Sequence, residues 1–413
     1  MKPFERLLKY VTFDTESQTN STTFPSTLKQ LELAKYLVTE MKEIGIDDAF
    51  LDDNGYVYGT INPSKGLEEK PGFALIAHMD TSPDVTGKNV KPHIVHYNGG
   101  DIILNEEKNI VTKLSDFPDL EKHINQHIIV TDGNTLLGAD DKAGIAEIMT
   151  MAETLINDKS RKHPLIQIVF TPDEEVGHGV DKIDMNKIKV NKGYTVDGGY
   201  ISIFQYETFN GSTATIKIKG RSVHPGYSKG KMKNACLIAN EFNSLLPQHE
   251  IPATTENREG FYHLMSINAN VEEATLKYIL RDHDYKKLLQ REEMIKKAAT
   301  FICDKYGQDT VKVEIEEGYR NMGEEVIKHP ELIDSALEAI KSIGIEPQIE
   351  AVRGGTDGSR LSFMGLACPN LPTGCQNGHS RHEYISVEDM DKCTEILLKL
   401  SSIMAWGNNG HIR

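Results

Sequence analysis

The chain has 413 residues, with 46 Lys and Arg against 61 Asp and Glu, a formal net charge of −15, and 38% hydrophobic residues. That length suits two or three domains with sizeable cores, and the acidic balance argues against nucleic acid or an anionic membrane surface as the main partner. The stretch Met1 to Tyr10 lacks the apolar core of a signal peptide, no run approaches a membrane span, and the five cysteines (Cys236, Cys303, Cys368, Cys375, Cys393) are scattered without C-x-x-C spacing; the expectation is a reducing cytoplasm with neither a disulfide framework nor a cysteine metal site.

From Met1 to about Gly45 the spacing predicts helix, loop, helix. Thr27 and Gln30 have capping-box spacing before Leu33, Leu37, Met41 and Ile44, and Gly45 is a natural stop. Tyr56 to Ile61 alternates like a strand. Ala74-Leu75-Ile76-Ala77 is a short apolar run of the buried-strand kind, and it ends in His78-Met79-Asp80. Residues i and i+2 of a strand point the same way, so His78 and Asp80 leave its C-terminal end side by side, at the edge where open α/β sheets bind ligands. Taken alone, a hydrogen-bonded surface pair explains an H-x-D; a metal site needs more ligands elsewhere.

Residues 84–130 are polar and irregular, and read as loops and short hairpins. Asp140 and Asp141 follow, on the approach to a helical stretch from Gly144 to Leu155; helix capping is the plain alternative for them. Leu165 to Phe170 is another buried strand and runs into Asp173-Glu174-Glu175. Three successive carboxylates at a strand end are costly unless a cation compensates them. Tyr194 to Asp197 is a further apolar segment ending in a carboxylate.

The texture changes near Phe209. Thr213–Lys219 alternates, Asn234–Leu246 is helical, Phe261–Ala269 and Thr275–Arg281 are strand-like, Lys286–Tyr306 is a long amphipathic helix, and Val311–Glu317 alternates again. Strand-helix-strand-strand-helix-strand is the ferredoxin-like order, so residues 208–320 read as an α+β domain inserted into an α/β domain formed by 1–207 and 321–413. The chain then returns through a helix at Pro330–Gly344, an extended Glu350–Gly355, the loop Gly374 to Glu383, and a final helix from Val387 to about Trp406.

Imidazoles at His78 and His379 and carboxylates at Asp80, Asp140, Glu174, Glu175 and Asp197 make an N/O donor set suited to zinc, manganese or cobalt. There are too many carboxylates for one ion. Two ions sharing a bridging carboxylate use them economically, and one of Glu174 and Glu175 is then left as a general base.

The segments A-H-M-D-T, L-L-G-A-D-D-K-A-G-I-A, T-P-D-E-E-V-G, Y-T-V-D-G-G, S-V-H-P-G, L-R-D-H-D, R-G-G-T-D-G and G-H-S-R-H-E-Y together resemble the dinuclear zinc peptidases related to aminoacylase and carboxypeptidase G, over nearly the whole chain. The resemblance implies an α/β zinc-peptidase catalytic domain, a mixed sheet with helices on both faces, carrying the ferredoxin-like insert as a lid of the dimerisation type; a homodimer is left open. It implies two zinc ions per subunit, with His78 and Asp197 on one, Glu175 and His379 on the other, and Asp140 bridging. Asp80 is expected to orient His78, Glu174 to act as base, and the Asp140-Asp141 peptide to be cis. His224 of the insert is the expected donor to the scissile carbonyl, and closure of the insert over the metals is the expected motion. His382 stands as an alternative ligand to His379, though the spacing to Glu383 favours His379.

The implied activity is an aminopeptidase that cuts the N-terminal residue from tripeptides. A dipeptidase or N-acyl-amino-acid deacylase of the same family, or a non-catalytic metal-dependent binding protein, are the alternatives; a free Glu174 speaks against the last. A tripeptide's terminal carboxylate is best read by arginine, which makes Arg281 and Arg353 the candidates.

Overall fold

The computed structural model describes residues 1–406. It divides into two compact units, one formed by Met1–Tyr206, Glu324–Glu350 and the residues from Thr356 on, the other by Glu207–Gly323 with Ala351–Gly355. The inserted unit starts one residue earlier and ends three residues later than the sequence reading had it, and it gains a separate segment. Residues 351–355, Arg353 among them, belong to the inserted unit, because Phe209 N–H donates to Gly354 O and Arg353 bonds the carbonyls of Asn257 and Glu259.

The chain runs through α1 (Pro3–Tyr10), α2 (Gln30–Glu43), β1 (Phe50–Leu51), β2 (Val57–Ile61), β3 (Phe73–His78), β4 (His93–Tyr97), β5 (Ile102–Asn105), β6 (Ile110–Thr112), β7 (Gln126–Val130), α3 (Ala139–Asn157), β8 (Ile166–Thr171), β9 (Gly193–Gly198) and β10 (Ile203–Glu207). The inserted unit supplies β11 (Asn210–Lys219), α4 (Ala235–Ser244), β12 (Phe261–Ala269), β13 (Glu273–Asp282), α5 (Tyr285–Tyr306) and β14 (Val311–Tyr319). The return adds α6 (Gly323–Val326), α7 (Pro330–Ser342), β15 (Gln348–Ala351), α8 (Asp357–Phe363), β16 (Asn370–Pro372), β17 (Ile385–Ser386) and α9 (Val387–Trp406).

The first unit is built on an eight-stranded mixed sheet in the order β1-β2-β8-β3-β9-β16-β10-β15. Its centre is parallel, with β3 between β8 and β9. Every residue of β3 is buried. Phe73, Leu75 and Ala77 face a core they share with α3 and α9, whereas Ala74 and Ile76 join the opposite core with Leu361 of α8. Burial on both faces is why this strand reads as an unbroken apolar run instead of an alternating one. Truncating a side chain such as Leu75 to alanine costs about 2–5 kcal/mol in a core of this kind.

The segment 84–130 is more ordered than loops and hairpins alone. β5 and β6 form a hairpin, and β4 and β7 join the later β17 in a small antiparallel sheet. The pairing partner β17 lies over 250 residues downstream of β7, so no local pattern announces it.

The inserted unit is a four-stranded antiparallel sheet in the order β12-β13-β11-β14, with α4 and α5 as its helices. Sheet order and connectivity are ferredoxin-like. Ala214, Ile216 and Ile218 of β11 point into its core with Phe242, Ile295 and Ile302, while Lys217 and Lys219 alternate outward. Among the described residues no helix is long and apolar enough to cross a membrane, and all five cysteines are free.

Candidate metal centre

The site is assembled at the C-terminal ends of the parallel strands of the first unit. His78 closes β3 in register with Thr171 at the end of β8, and Asp197 lies near the end of β9. α3 brings the aspartate pair. Its first residues are not helical: Asp140 has φ −81° and ψ 104°, Asp141 φ −119° and ψ 28°. The peptide between them is cis, as the resemblance implied. Gly144 allows the close approach, since a Cβ there would sit 2.0 Å from the Val196 carbonyl oxygen; any larger residue would drive α3, and the aspartates with it, away from β9.

Asp140 stands between the two imidazoles. His78 Nε2 lies 3.0 Å from Asp140 Oδ1 and 3.6 Å from Asp197 Oδ1. His379 Nε2 lies 2.7 Å from Glu175 Oε2 and 3.3 Å from Asp140 Oδ2. Donor atoms of His78, Asp140 and Glu175, and likewise of His78, Asp141 and Asp197, fall within 4.8 Å of one another. Asp141 was not expected in a donor group; one of its oxygens accepts the His78 backbone N–H at 3.1 Å and the other has no hydrogen-bond partner.

Asp80 does two things. Its Oδ1 is 3.4 Å from His78 Nδ1, and its two oxygens accept the backbone N–H groups of Glu174 and Glu175 at 3.0 and 3.2 Å. Asp80 thus aligns the imidazole, whose Nδ1 is 3.0 Å from its backbone carbonyl oxygen, and its carboxylate fixes the turn that carries the acid pair. Glu383 plays a similar part behind Asp140, accepting the N–H groups of Leu137, Gly138 and Asp140. The sequence reading used Glu383 only as a spacing marker, and overlooked Asp357, a buried carboxylate at the start of α8 that accepts from Thr171 Oγ1 at 2.7 Å. Their common signal is an acid set between a histidine or threonine and an aromatic or glycine in a polar motif, as in R-H-E-Y and T-D-G.

The two histidines of the last loop separate clearly. His379, at φ 61°, faces Glu175 and Asp140. His382 turns to Thr112 Oγ1 at 2.9 Å and lies against the Phe117 ring. The other expected residues lie on the inserted unit. His224 is exposed and accepts the Gly226 N–H at its Nδ1. Arg281 Nη1 donates to the carbonyls of Ser212 and Leu280 and its guanidinium lies over Tyr319. Arg353 bonds Thr255 as well as Asn257 and Glu259, and stacks over Phe209 and Phe261.

The electrostatics call for a cation. Burial pushes the Glu174 carboxyl well above its ordinary range; His78 opposes this, while Asp197, Asp357 and Glu175 reinforce it. Burial likewise raises Glu175 to about 8 and Asp197 to about 6, each reinforced by Asp140. Hydrogen bonds to Asp140 and Glu175 lift His379 to about 11. Burial works against a charged His78, yet Asp197, Asp140 and Asp80 outweigh it. So many carboxylates around two imidazoles leave negative charge that protons only partly cancel, and divalent ions held by N and O donors fit the set.

The family model for peptidase family M20/M25/M40 matches residues 130–402. A curated protein named peptidase T from Caldanaerobacter subterraneus subsp. tengcongensis is 48% identical over 411 residues, covering 99% of this chain and 100% of its own. The crystal structure of aminopeptidase PepT from Bacillus cereus aligns with a TM-score of 0.78 at 21% identity over 98% of each chain. That of a tripeptidase from Staphylococcus aureus aligns with a TM-score of 0.77 at 21% identity, again over 98% of each. The length of the family match, and a relative nearly half identical from end to end, agree with the paired donor groups: the chain belongs to peptidase family M20/M25/M40.

Proposed function

We propose that this peptidase is a two-zinc aminopeptidase that removes the N-terminal residue from tripeptides. The observation that carries the reading is the place of Asp140 between the two imidazoles, with Oδ1 3.0 Å from His78 Nε2 and Oδ2 3.3 Å from His379 Nε2, while Glu174 belongs to neither candidate donor group. His78 and Asp197 would hold one zinc, Glu175 and His379 the other, and Asp140 would serve both. When bound, the pair supplies Lewis-acid polarisation of the scissile carbonyl and acidifies a water.

The chain's own groups do the rest. Asp80 keeps His78 oriented and anchors the Glu174-Glu175 turn through its backbone. Glu174 takes the proton of the attacking water at its carboxylate and passes it to the leaving amine; burial raises the carboxyl above its ordinary range and so strengthens it as a base. His224 donates to the carbonyl oxygen as negative charge develops there, and Arg281 or Arg353 reads the peptide's C-terminal carboxylate. The relatives named peptidase T and tripeptidase support the substrate class, and a cytoplasmic setting is consistent with free cysteines.

The test is metal content together with a substrate screen. Two zinc ions per chain, activity lost on chelation, loss of both ions in Asp140→Ala, and cleavage of tripeptides over dipeptides and N-acyl amino acids are expected. His224→Ala should keep both ions while kcat falls by roughly 10²-fold, the usual loss on removing one such donor. Full activity with one ion per chain is incompatible with this reading.

A further inference from the structure

Among the described residues no hydrogen bond holds the Glu174 carboxylate, whereas its neighbour Glu175 is also held through its side chain, by His379 at 2.7 Å. The position of Glu174 therefore depends on its backbone. The residue before it, Asp173, is in the left-handed region at φ 58° and ψ 23°, which costs a non-glycine residue about 1–2 kcal/mol unless something compensates.

The compensation comes from the N-terminal segment. Asp173 Oδ2 accepts the Ser26 backbone N–H at 2.6 Å, and Oδ1 accepts from Ser26 Oγ at 2.5 Å and from Gln30 Nε2 at 2.7 Å. Gln30 Oε1 in turn accepts the Asp173 N–H at 3.2 Å, and the Asp173 carbonyl accepts from His178 N–H. Every polar group of Asp173 is bonded, and Ser26, Gln30 and Asp173 are all buried. The turn from Asp173 to His178 is thus gripped from two sides, by Asp80 at the N–H groups of Glu174 and Glu175, and by Ser26 and Gln30 through Asp173.

We propose that Ser26 and Gln30 are positioning residues for Glu174, acting through Asp173. The grip at Asp80 secures the amides that Glu174 and Glu175 have in common. The grip at Asp173 fixes the backbone torsions that aim the Glu174 side chain, and Glu175 has His379 as a second hold while Glu174 has none. Releasing the outer grip therefore misdirects the base and leaves the donor set in place. The inference rests on Glu174 being the base.

The experiment uses Ser26→Ala, Gln30→Ala, the double variant, Gln30→Glu and Glu174→Gln in the full chain. It measures kcat and KM on one tripeptide, zinc content, and amide hydrogen exchange of residues 173–178 in the zinc-free protein. The double variant should retain two zinc ions and a KM within about twofold, with kcat lowered roughly 10- to 100-fold, as a misplaced catalytic group costs, and with faster exchange confined to 173–178. Gln30→Glu, which sets a second carboxylate against Asp173 and cannot donate, should lose more than Gln30→Ala. A double variant with wild-type kcat and exchange, beside an inactive Glu174→Gln, overturns the inference alone. In a variant that folds, a drop in activity matched by equal loss of zinc also overturns it, since that is what a purely structural role gives. An active Glu174→Gln overturns the base assignment and the inference with it. The single variants carry the same test if the double one does not fold.

Discussion

Asp140 is tied to Glu383 main chain to side chain: its N–H donates to Glu383 Oε1 at 2.9 Å, while Oε2 accepts the N–H groups of Leu137 and Gly138 at 2.8 Å each. One buried carboxylate thereby shapes the turn that presents Asp140. Glu383→Ala should leave three buried donors unpaired, each worth about 1–3 kcal/mol, and lower stability by about 3 kcal/mol or more while both ions bind more weakly. Thermal unfolding and zinc titration check this; unchanged zinc affinity would remove Glu383 from the support of Asp140.

The acid pair should divide cleanly. Glu174→Gln is expected to keep both ions and lose roughly 10²-fold or more in kcat, whereas Glu175→Gln should lose zinc first. Zinc content alongside kcat on each variant decides it, and interchanged phenotypes mean that the two roles are reversed.

Away from the metals, Glu147 gives a pH signature. It lies fully buried on α3 with neither carboxylate oxygen hydrogen-bonded, and burial, reinforced by Asp389, pushes it well above its ordinary value of 4.5. Below 4.5 the folded and unfolded chains both hold the proton. Above it the unfolded chain releases the proton and the folded one does not, so stability falls as pH rises, until Glu147 ionises in the fold. Glu147→Gln removes that dependence. The variant should gain on wild type progressively as pH rises above 4.5. Denaturant unfolding of the zinc-free proteins at pH 5, 6 and 7 reads the divergence, and parallel curves would mean that Glu147 is charged in the fold.

Arg281 and Arg353 are distinguished by a substrate comparison. Both are bonded to backbone carbonyls of the inserted unit, so each variant should lose some stability. The one that reads a peptide's carboxylate should also weaken binding of a tripeptide acid by about 1.5–3 kcal/mol, the size of a hydrogen bond to a charged group, with little effect on the matching amide. Equal losses on acid and amide would assign both arginines to the fold.

The sequence disclosed what local chemistry determines. β3, β8 and β9 are legible because each is an apolar run that stops at a charged motif, and α9 because its spacing holds from Val387 to Trp406. The donor residues are legible for the same reason: charge at the end of a buried strand is costly to keep unless a ligand or a partner compensates it. Thr27 and Gln30 were misread because capping-box spacing is a local signal. In the structure Thr27 Oγ1 donates to Glu16 O and Gln30 reaches Asp173, and α2 begins without a side-chain cap. A buried carboxylate 143 residues away is a better partner for that amide than a helix end near solvent. Glu383 escaped notice likewise, since its worth lies in three N–H groups about 245 residues upstream.

His379 follows the whole inserted unit in the chain, while His78, Asp140, Glu175 and Asp197 all precede it. During synthesis at about 5–20 residues per second, the second imidazole emerges some tens of seconds after the first. Through that interval the growing polypeptide carries a cluster of like-charged acids without the partner that completes the second donor group. On the donor assignment proposed above, completion of the second metal group would be a late step of biogenesis, tied to the closing stretch of translation. Stalled nascent chains that stop short of His379 should hold fewer ions than chains that extend past it, and equal loading of the two would show that His379 is dispensable for capture.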